Sequence, residues 1–237
     1  NGRNFVLAEQ NGKQVEIPFD KCLCALGRKP NTSGFGLEEL EIEYNKNGTI
    51  QTNSKLQTTH PDVYAVGDVA GPYQFTHTAA HMAWYAAVNS LFLNWFNVDY
   101  RVIPWATFTD PEVARVGISE LEAKEKGIEY KAYKYGLDDL DRAIADSTDH
   151  GFVKVLTPPD SDKILGVTIV GHRAGDIIAE FVLAMKHGLG LNKILGTIHL
   201  YPSNSEMNKY VAGVWKNATK PQKTLEYLKK YFTWKRS

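Results

Sequence analysis

The sequence lacks most of the features that would assign a chain to a functional class by composition alone. Its 237 residues include only two cysteines, and 27 basic side chains balance 27 acidic ones. A balanced charge gives no bulk electrostatic argument for binding nucleic acid or an anionic membrane, although it leaves a local basic patch open. Hydrophobic residues make up 43% of the chain, which is enough to build a core and argues against disorder. We expect one large domain or two smaller ones, with neither nucleic acid nor membrane as partner.

The two cysteines, Cys22 and Cys24, are separated by one residue. A disulfide across so short a loop has poor geometry, and two thiols are too few for a four-ligand zinc site. We therefore expect no metal, and we expect both thiols to be buried or half-buried on one face of a strand in a reducing, cytoplasmic compartment. No secretory segment opens the chain, which begins without methionine on strands typical of the middle of a fold. We interpret the sequence as a fragment of a longer protein.

No run of about 18 uninterrupted apolar residues is present, so the sequence predicts no transmembrane helix. The longest apolar segment, residues 76–96, is interrupted by two histidines and two asparagines. It predicts a buried helix from Thr76 to about Trp95.

Shorter patterns predict the other elements of the first hundred residues. Asn11-Gly12 between two apolar runs is typical of a β-hairpin. Apolar runs predict short strands at residues 21–26, 49–52 and 62–66, so this part is expected to be a piece of an α/β fold.

Beyond a predicted boundary near Asp99, the pattern changes to a block of strands with flanking helices. Ser119-x-x-Glu122 is a capping-box signal for a helix that ends at Gly127. Further strands are predicted at residues 130–135, 151–156 and 164–170, and further helices at 176–186, 206–215 and 224–232. This order predicts an α+β domain with an antiparallel sheet flanked by helices.

Two compositional features have plain structural interpretations. The five tryptophans and twelve tyrosines are interpreted as packing residues rather than as a stacking platform for bases. The last predicted helix carries a basic cluster, which we interpret as a solvated helix face, with a basic tail as the alternative. The cluster consists of Lys223, Lys229, Lys230, Lys235 and Arg236.

Common catalytic and nucleotide-binding signatures are missing from the sequence. The Gly-x-Gly at residues 34–36 does not directly follow an apolar strand and lacks the third glycine of a dinucleotide fingerprint. There is no Walker-type lysine loop, no nucleophile elbow and no pair of zinc-ligating histidines on a helix. Two other segments remain as candidates.

The first candidate is the apolar run that ends in Gly67-Asp68, followed by Thr76-His77 at the start of the predicted helix. A carboxylate at the carboxyl end of a strand can accept hydrogen bonds from sugar-like hydroxyls, and Gly67 allows a ligand to approach closely. The N–H groups and positive dipole end of the helix can hold an electron-rich ring carbonyl. The alternative is a plain strand–turn–helix with an aspartate in the turn.

The second candidate is the segment from His199 to Glu206. His199 and Tyr201 have a strand-like spacing, and Ser203 or Ser205 can cap the helix that contains Glu206. A carboxylate in the first turn of a helix can orient a proton-transfer partner. The alternative is a capped helix with a solvated glutamate.

Three separated motifs together resemble the class I flavoprotein disulfide oxidoreductases, which include dihydrolipoamide dehydrogenase, glutathione reductase and mercuric reductase. They are Cys-Ala-Leu-Gly-Arg-Lys-Pro-Asn-Thr at residues 24–32, Thr-His-Pro-Asp-Val-Tyr-Ala-Val-Gly-Asp-Val at 59–69, and Phe-Thr-Asp-Pro-Glu-Val-Ala-Arg-Val-Gly at 108–117. The resemblance implies that residues 1–30 end an NAD(P)-binding domain and residues 31–100 form the C-terminal part of an FAD-binding domain. It also implies that residues 101–237 form a dimerisation domain through which the protein is a homodimer.

The resemblance also implies cofactors and site residues. FAD and NAD(P)H are the implied cofactors, with Gly27 near the nicotinamide nucleotide and Asp68, after Gly67, accepting bonds from the flavin ribityl chain. Four residues match the segment at the flavin pyrimidine edge, where amides would stabilise negative charge on the reduced ring. They are Gln74, Phe75, Thr76 and His77. In the implied reaction a hydride passes from nicotinamide to flavin, then to a disulfide, then to an acceptor that the sequence does not name.

The sequence departs from the family pattern in two respects. The adenine-binding glycine-rich segments and the cysteine pair separated by four residues are missing; we expect them upstream of Asn1, so the chain alone is expected to be inactive and to hold no cofactor. The family's His-x-His-Pro with a following Glu is here His199-x-Tyr201-Pro202 with Glu206. A phenol with a pKa near 10 is a poor base at neutral pH.

These departures reduce the number of substrates that we expect for the complete protein. Tyr201, Glu206 and His199 remain the candidate catalytic residues, but lipoamide and glutathione are disfavoured as substrates. Mercury is not supported either, because the C-terminal cysteine pair of mercuric reductases is missing. The alternative function is a cofactor-free dimerisation module with no catalysis of its own.

Overall fold

The computed structural model describes residues 4–236. It divides the chain into two compact units, one extending to Phe96 and the other beginning at Asn97. Within the described residues, no helix combines the length and the apolar composition needed to cross a bilayer.

The first unit opens with the predicted hairpin. Strands β1 (Asn4–Gln10) and β2 (Lys13–Phe19) pair antiparallel. Asn11 and Gly12 between them have φ angles of 53° and 74°. Both residues are therefore in the left-handed region, which a two-residue hairpin turn of type I′ requires and which Asn-Gly adopts readily.

The strands predicted at residues 21–26, 49–52 and 62–66 are wrong. Cys22 and Cys24 are exposed rather than buried, and no described strand pairs with their segment. The other two segments form only isolated bridges, such as the one between Tyr44 and Ile50. A strand is held by hydrogen bonds to a neighbour, and an apolar run without a neighbouring strand in the described chain has no ladder to join.

Helix α1 (Thr76–Leu91) is the main helix of the first unit. It is shorter and less buried than predicted, since its buried positions form a single stripe of Thr78, Met82, Ala86 and Asn89. The buried Asn89 amide donates to the Phe96 carbonyl (2.8 Å) and accepts from the Phe96 N–H (3.0 Å). These bonds hold the following chain in a non-helical path, which explains why the helix ends before the apolar segment does.

The second unit is built on a five-stranded antiparallel sheet. The strands are β3 (Trp105–Thr107), β4 (Glu112–Gly117), β5 (Lys131–Gly136), β6 (Phe152–Thr157) and β7 (Gly166–Gly171), and their order in the sheet is β3-β4-β7-β6-β5. The helices are α2 (Glu120–Glu125), α3 (Asp141–Ala145), α4 (Ala174–Ile177), α5 (Ala179–Lys186), α6 (Leu191–Leu195), α7 (Glu206–Ala218) and α8 (Gln222–Arg236). The predicted fold class, an α/β piece followed by an α+β domain with an antiparallel sheet, is confirmed.

The core of the second unit lies on one face of this sheet. Val155 pairs with Val167, and Val153 pairs with Ile169, so their side chains point to the same face. They belong to a buried cluster that includes Phe181 of α5. The helices thus cover the sheet on the side of its buried alternate residues.

Local signals identified the helix ends well. Ser119 and Glu122 form the predicted capping box, in which each side chain accepts from the other residue's backbone N–H. The helix predicted at residues 176–186 is interrupted at Ile178, which separates α4 from α5. Strand β4 and the short helices α3 and α6 were not predicted.

Candidate functional site

The turn that carries Gly67 and Asp68 leads into helix α1. Residues Gly67–Val69 form a single 3₁₀ turn, and Gly67 has a φ of 73°. A Cβ at this position would lie 3.0 Å from the Cβ of Ala79, one turn into α1. A side chain is therefore disfavoured by both backbone conformation and space, and glycine allows the turn to lie against the helix.

Asp68 forms an ion pair that the sequence did not predict. An Nη1 atom of Arg28 lies 2.5 Å from Oδ2 of Asp68, and the two side chains are 61% and 31% exposed. The pair places the segment of Gly27 beside the Asp68 turn, although 40 residues separate the two partners in sequence. Gly27 itself has a φ of 117°, and a Cβ there would point into open space. Gly27, Arg28 and Asp68 therefore lie close together in the first unit.

The start of α1 has no side-chain cap. Its N-cap is Phe75, and no acidic residue lies in the first turn. Gln74, Thr76 and His77 are exposed, while the rings of Phe75 and His77 stack with centroids 5.2 Å apart. An uncapped helix start with exposed flanking residues retains its positive dipole end for a negatively polarised group.

His199 is held inside the protein rather than presented to a ligand. Its side chain is 5% exposed, and Nε2 lies 3.1 Å from both carboxylate oxygens of Glu180. Nδ1 lies 3.0 Å from the carbonyl oxygen of Thr197, and Glu180 also accepts from Nδ2 of Asn208 (2.8 Å). Both ring nitrogens are engaged, so this arrangement fixes the chain that leads to Tyr201.

Glu206 is also buried, in the first turn of α7. Oε2 accepts from the backbone N–H of Ser203 (3.3 Å), and Oε1 accepts from the hydroxyl of Tyr210 (3.2 Å). The expectation that Ser203 or Ser205 caps this helix is wrong, because the N-cap Ser205 makes no side-chain cap and the Ser203 hydroxyl donates to the Leu200 carbonyl. The alternative of a solvated glutamate is wrong as well, since Glu206 is 5% exposed.

Tyr201 is 64% exposed, and its hydroxyl donates to Oδ2 of Asp141 at 2.9 Å. This hydrogen bond and the charge of Asp141 raise the pKa of the Tyr201 phenol above its ordinary value of 10.0, with smaller contributions from burial and from Glu206. The phenol therefore stays protonated at neutral pH, which agrees with the expectation that it is a poor base.

Two further tyrosines and two carboxylates lie close to Tyr201. Tyr135 and Tyr210 have ring centroids 5.1 Å apart, and burial, the largest cause, raises the pKa of Tyr135 to about 12. Glu206 accepts its side-chain hydrogen bond from the hydroxyl of Tyr210 and not from that of Tyr201. The structure thus brings Tyr201 and Glu206 into one neighbourhood but gives Tyr201 a different carboxylate partner, Asp141.

The residues of the first unit fit the ring edge and ribityl chain of FAD. The Asp68 turn and the uncapped start of α1 are adjacent, because Gly67 lies against Ala79. In addition, the Oγ1 atom of the buried Thr78, in the first turn, has no hydrogen-bond partner among the described residues. No group of three metal-ligating side chains occurs within residues 4–236.

Comparisons with known proteins find matches over both units. The family model described as pyridine nucleotide-disulphide oxidoreductase matches residues 1–83, and that of its dimerisation domain matches residues 103–212. The chain is 39% identical over 199 residues to a dihydrolipoyl dehydrogenase of Thermus scotoductus, covering 84% of this chain and 43% of that protein. It is 36% identical over 213 residues to a mercuric reductase of Staphylococcus aureus, covering 90% of this chain and 39% of that protein.

A solved structure has a similar fold. The HOCl-induced flavoprotein disulfide reductase RclA of Escherichia coli aligns with a TM-score of 0.75 at 25% identity, covering 89% of this chain and 48% of that one. The chain spans less than half the length of each of these relatives.

Proposed function

Because the chain belongs to the pyridine nucleotide-disulphide oxidoreductases, we propose that it is the C-terminal part of an FAD-dependent NAD(P)H oxidoreductase. In this proposal residues 1–30 end the NAD(P)-binding domain, residues 31–100 complete the FAD-binding domain, and residues 101–237 form the dimerisation domain of a homodimer. The observation that carries the proposal is the Asp68 carboxylate on a glycine turn that lies against the uncapped start of α1.

The first unit would hold the flavin through two kinds of contact. Asp68 would accept hydrogen bonds from the ribityl hydroxyls, with Arg28 fixing its orientation. Gln74 to His77, at the start of α1, would present backbone N–H groups and the positive helix end to the pyrimidine edge, and Gly27 would lie near NAD(P)H. When bound, FAD supplies two-electron chemistry with NAD(P)H.

The second unit would contact the electron acceptor through Tyr201. The hydroxyl proton of Tyr201 is committed to Asp141, and loss of that proton would leave a phenolate beside a carboxylate. Tyr201 would therefore position an acceptor by hydrogen bonding through its oxygen rather than act as a general base. The side chains of His199 and Glu206 are buried, and their hydrogen bonds would hold the segment that carries Tyr201 in position.

Substitution of Tyr201 in the full-length protein tests the role of this residue. Tyr201→Phe is expected to slow reduction of the physiological acceptor while leaving the rate of flavin reduction by NAD(P)H unchanged, because the two half-reactions use different residues. Stopped-flow absorbance of the flavin measures both rates separately. Unchanged turnover with the acceptor would remove Tyr201 from the proposal.

The 237-residue chain tests the alternative of a cofactor-free dimerisation module. The chain contains no glycine-rich adenine-binding segment, so we expect a colourless dimer that does not take up added FAD and has no activity alone. Size-exclusion chromatography with a visible spectrum measures both properties. A yellow protein with bound FAD would contradict the expectation, and a monomer would contradict the homodimer.

A further inference from the structure

Helix α8 presents a broad apolar face that is exposed to solvent. Six large apolar side chains on it are between 41% and 73% exposed. They are Leu225, Tyr227, Leu228, Tyr231, Phe232 and Trp234. At about 100° per residue, these positions span roughly half of the helix circumference, and a contiguous face of this kind marks a binding surface.

The opposite half of α8 is polar and basic. Glu226, Lys229, Lys230, Thr233 and Arg236 follow one another around it at helical spacing. Residues 222–236 contain five basic side chains and one acidic one, whereas the chain as a whole is balanced. The helix is therefore a local basic patch in a chain whose total charge is zero. The rest of the chain is correspondingly net acidic.

The side chains of the apolar face favour a lipid surface over a protein groove. Tyr227, Tyr231 and Trp234 form one stripe, and each has an apolar ring with a polar tip, as is common at a membrane–water boundary. Lys235 lies within the apolar half, where its long stem can keep the ammonium at the boundary. Only two leucines occur in the helix, so it lacks the repeated leucine seam of a coiled coil.

Neither the family match nor the proposed flavin site accounts for this face. The match to the dimerisation domain ends at residue 212, before α8 begins. At about 1.5 Å per residue, the fifteen described residues of α8 are too few to cross a bilayer, so a lipid contact of this face would run along the surface.

We propose that α8 is an interfacial helix that binds an anionic lipid surface, with its aromatic half in the headgroup region and its lysines toward the lipid phosphates. Binding would combine burial of the apolar half with attraction between the cationic residues and anionic lipid. The proposal goes beyond the oxidoreductase function and does not depend on flavin.

Vesicle flotation of the full-length protein tests the proposal. The protein is expected to float with vesicles of phosphatidylcholine and phosphatidylglycerol but not with phosphatidylcholine alone, and to be released by salt. Lys229→Glu/Lys230→Glu is expected to weaken binding about 30-fold or more, since each lysine near an anionic surface contributes about 1 kcal/mol. The matched control Lys131→Glu/Lys163→Glu reverses two exposed lysines outside α8 and should bind like the wild type.

A second variant tests the apolar half. Leu228→Ser/Phe232→Ser keeps the charge of the chain and is expected to lose vesicle binding while its circular dichroism and thermal unfolding stay close to those of the wild type. The proposal is overturned if the folded protein ignores anionic vesicles at low salt, or if the lysine pair and its control bind equally. It is also overturned if the serine variant loses only self-association, because a second copy would then be the occupant of the face.

Discussion

The hydroxyl of Tyr201 donates to Asp141 at 2.9 Å, whereas Glu206, the carboxylate of the same motif, accepts from Tyr210. The motif residues are five positions apart in sequence, yet the partner of Tyr201 comes from a helix 60 residues away. The carboxylate that controls Tyr201 therefore belongs to α3 rather than to α7.

Removal of the Asp141 charge is expected to lower the pKa of Tyr201. The hydrogen bond and negative charge of Asp141 disfavour the phenolate and so raise the pKa in the wild type. In Asp141→Asn, ionisation of Tyr201 should begin at a lower pH. The measurement is a pH titration of the ¹³Cζ resonances of the tyrosines, with the Tyr201 signal assigned by its loss in Tyr201→Phe. Asp160→Asn, an exposed turn residue, is the control, and an identical shift in both variants would show that Asp141 has no specific effect.

The capping box of α2 should make a pH-dependent contribution to stability. The Ser119 backbone and hydroxyl and the Arg115 guanidinium lower the pKa of Glu122 from 4.5 to about 2. A carboxylate with a lowered pKa stabilises the folded state above its unfolded pKa, and the contribution is lost as the pH falls through the folded value.

The free energy of unfolding of Glu122→Gln should therefore be lower than that of the wild type at pH 7, and the difference should shrink between about pH 4.5 and pH 2. Because the side chain is 38% exposed, we expect a difference of about 1 kcal/mol or less. Urea unfolding at several pH values measures it. Glu125→Gln on the same helix is the control, and a difference that is independent of pH would contradict the assignment.

The sheet of the second unit requires glycine at position 166. A Cβ there would lie 1.9 Å from the carbonyl oxygen of Ile118 and 2.7 Å from its nitrogen. Backbone atoms cannot give way cheaply, so Gly166→Ala is expected to lower the free energy of unfolding by about 1–3 kcal/mol or more.

The matched control is Gly213→Ala, inside α7, where the nearest atom to a new Cβ is 4.0 Å away. This change should raise the free energy of unfolding by about 0.5–1 kcal/mol, because alanine restricts the unfolded chain and favours helix. Chemical denaturation of both variants tests the contrast. Equal effects of the two substitutions would show that the contact at Gly166 is not a constraint.

Features that depend on near neighbours could be predicted from the sequence. The Asn11-Gly12 turn and the Ser119–Glu122 capping box are fixed by residues within a few positions of one another, and both are present. The strand prediction for residues 21–26 was wrong because strand formation depends on a partner strand elsewhere in the fold. The ion pair between Arg28 and Asp68 was missed for the same reason, since no local pattern indicates that these two residues, 40 positions apart, are neighbours.

In the proposed function, Asp68 and the start of α1 hold a flavin that NAD(P)H reduces. The most direct test is the visible spectrum of the purified full-length protein, before and after addition of NADH or NADPH, for the wild type, Asp68→Asn and the control Asp160→Asn. The exposed Arg28–Asp68 pair contributes about 1 kcal/mol or less to stability, so Asp68→Asn should fold. We expect a flavin band that NAD(P)H bleaches in the wild type and the control, and a reduced flavin content in Asp68→Asn. A colourless full-length protein, or full flavin content in Asp68→Asn, would contradict the claim.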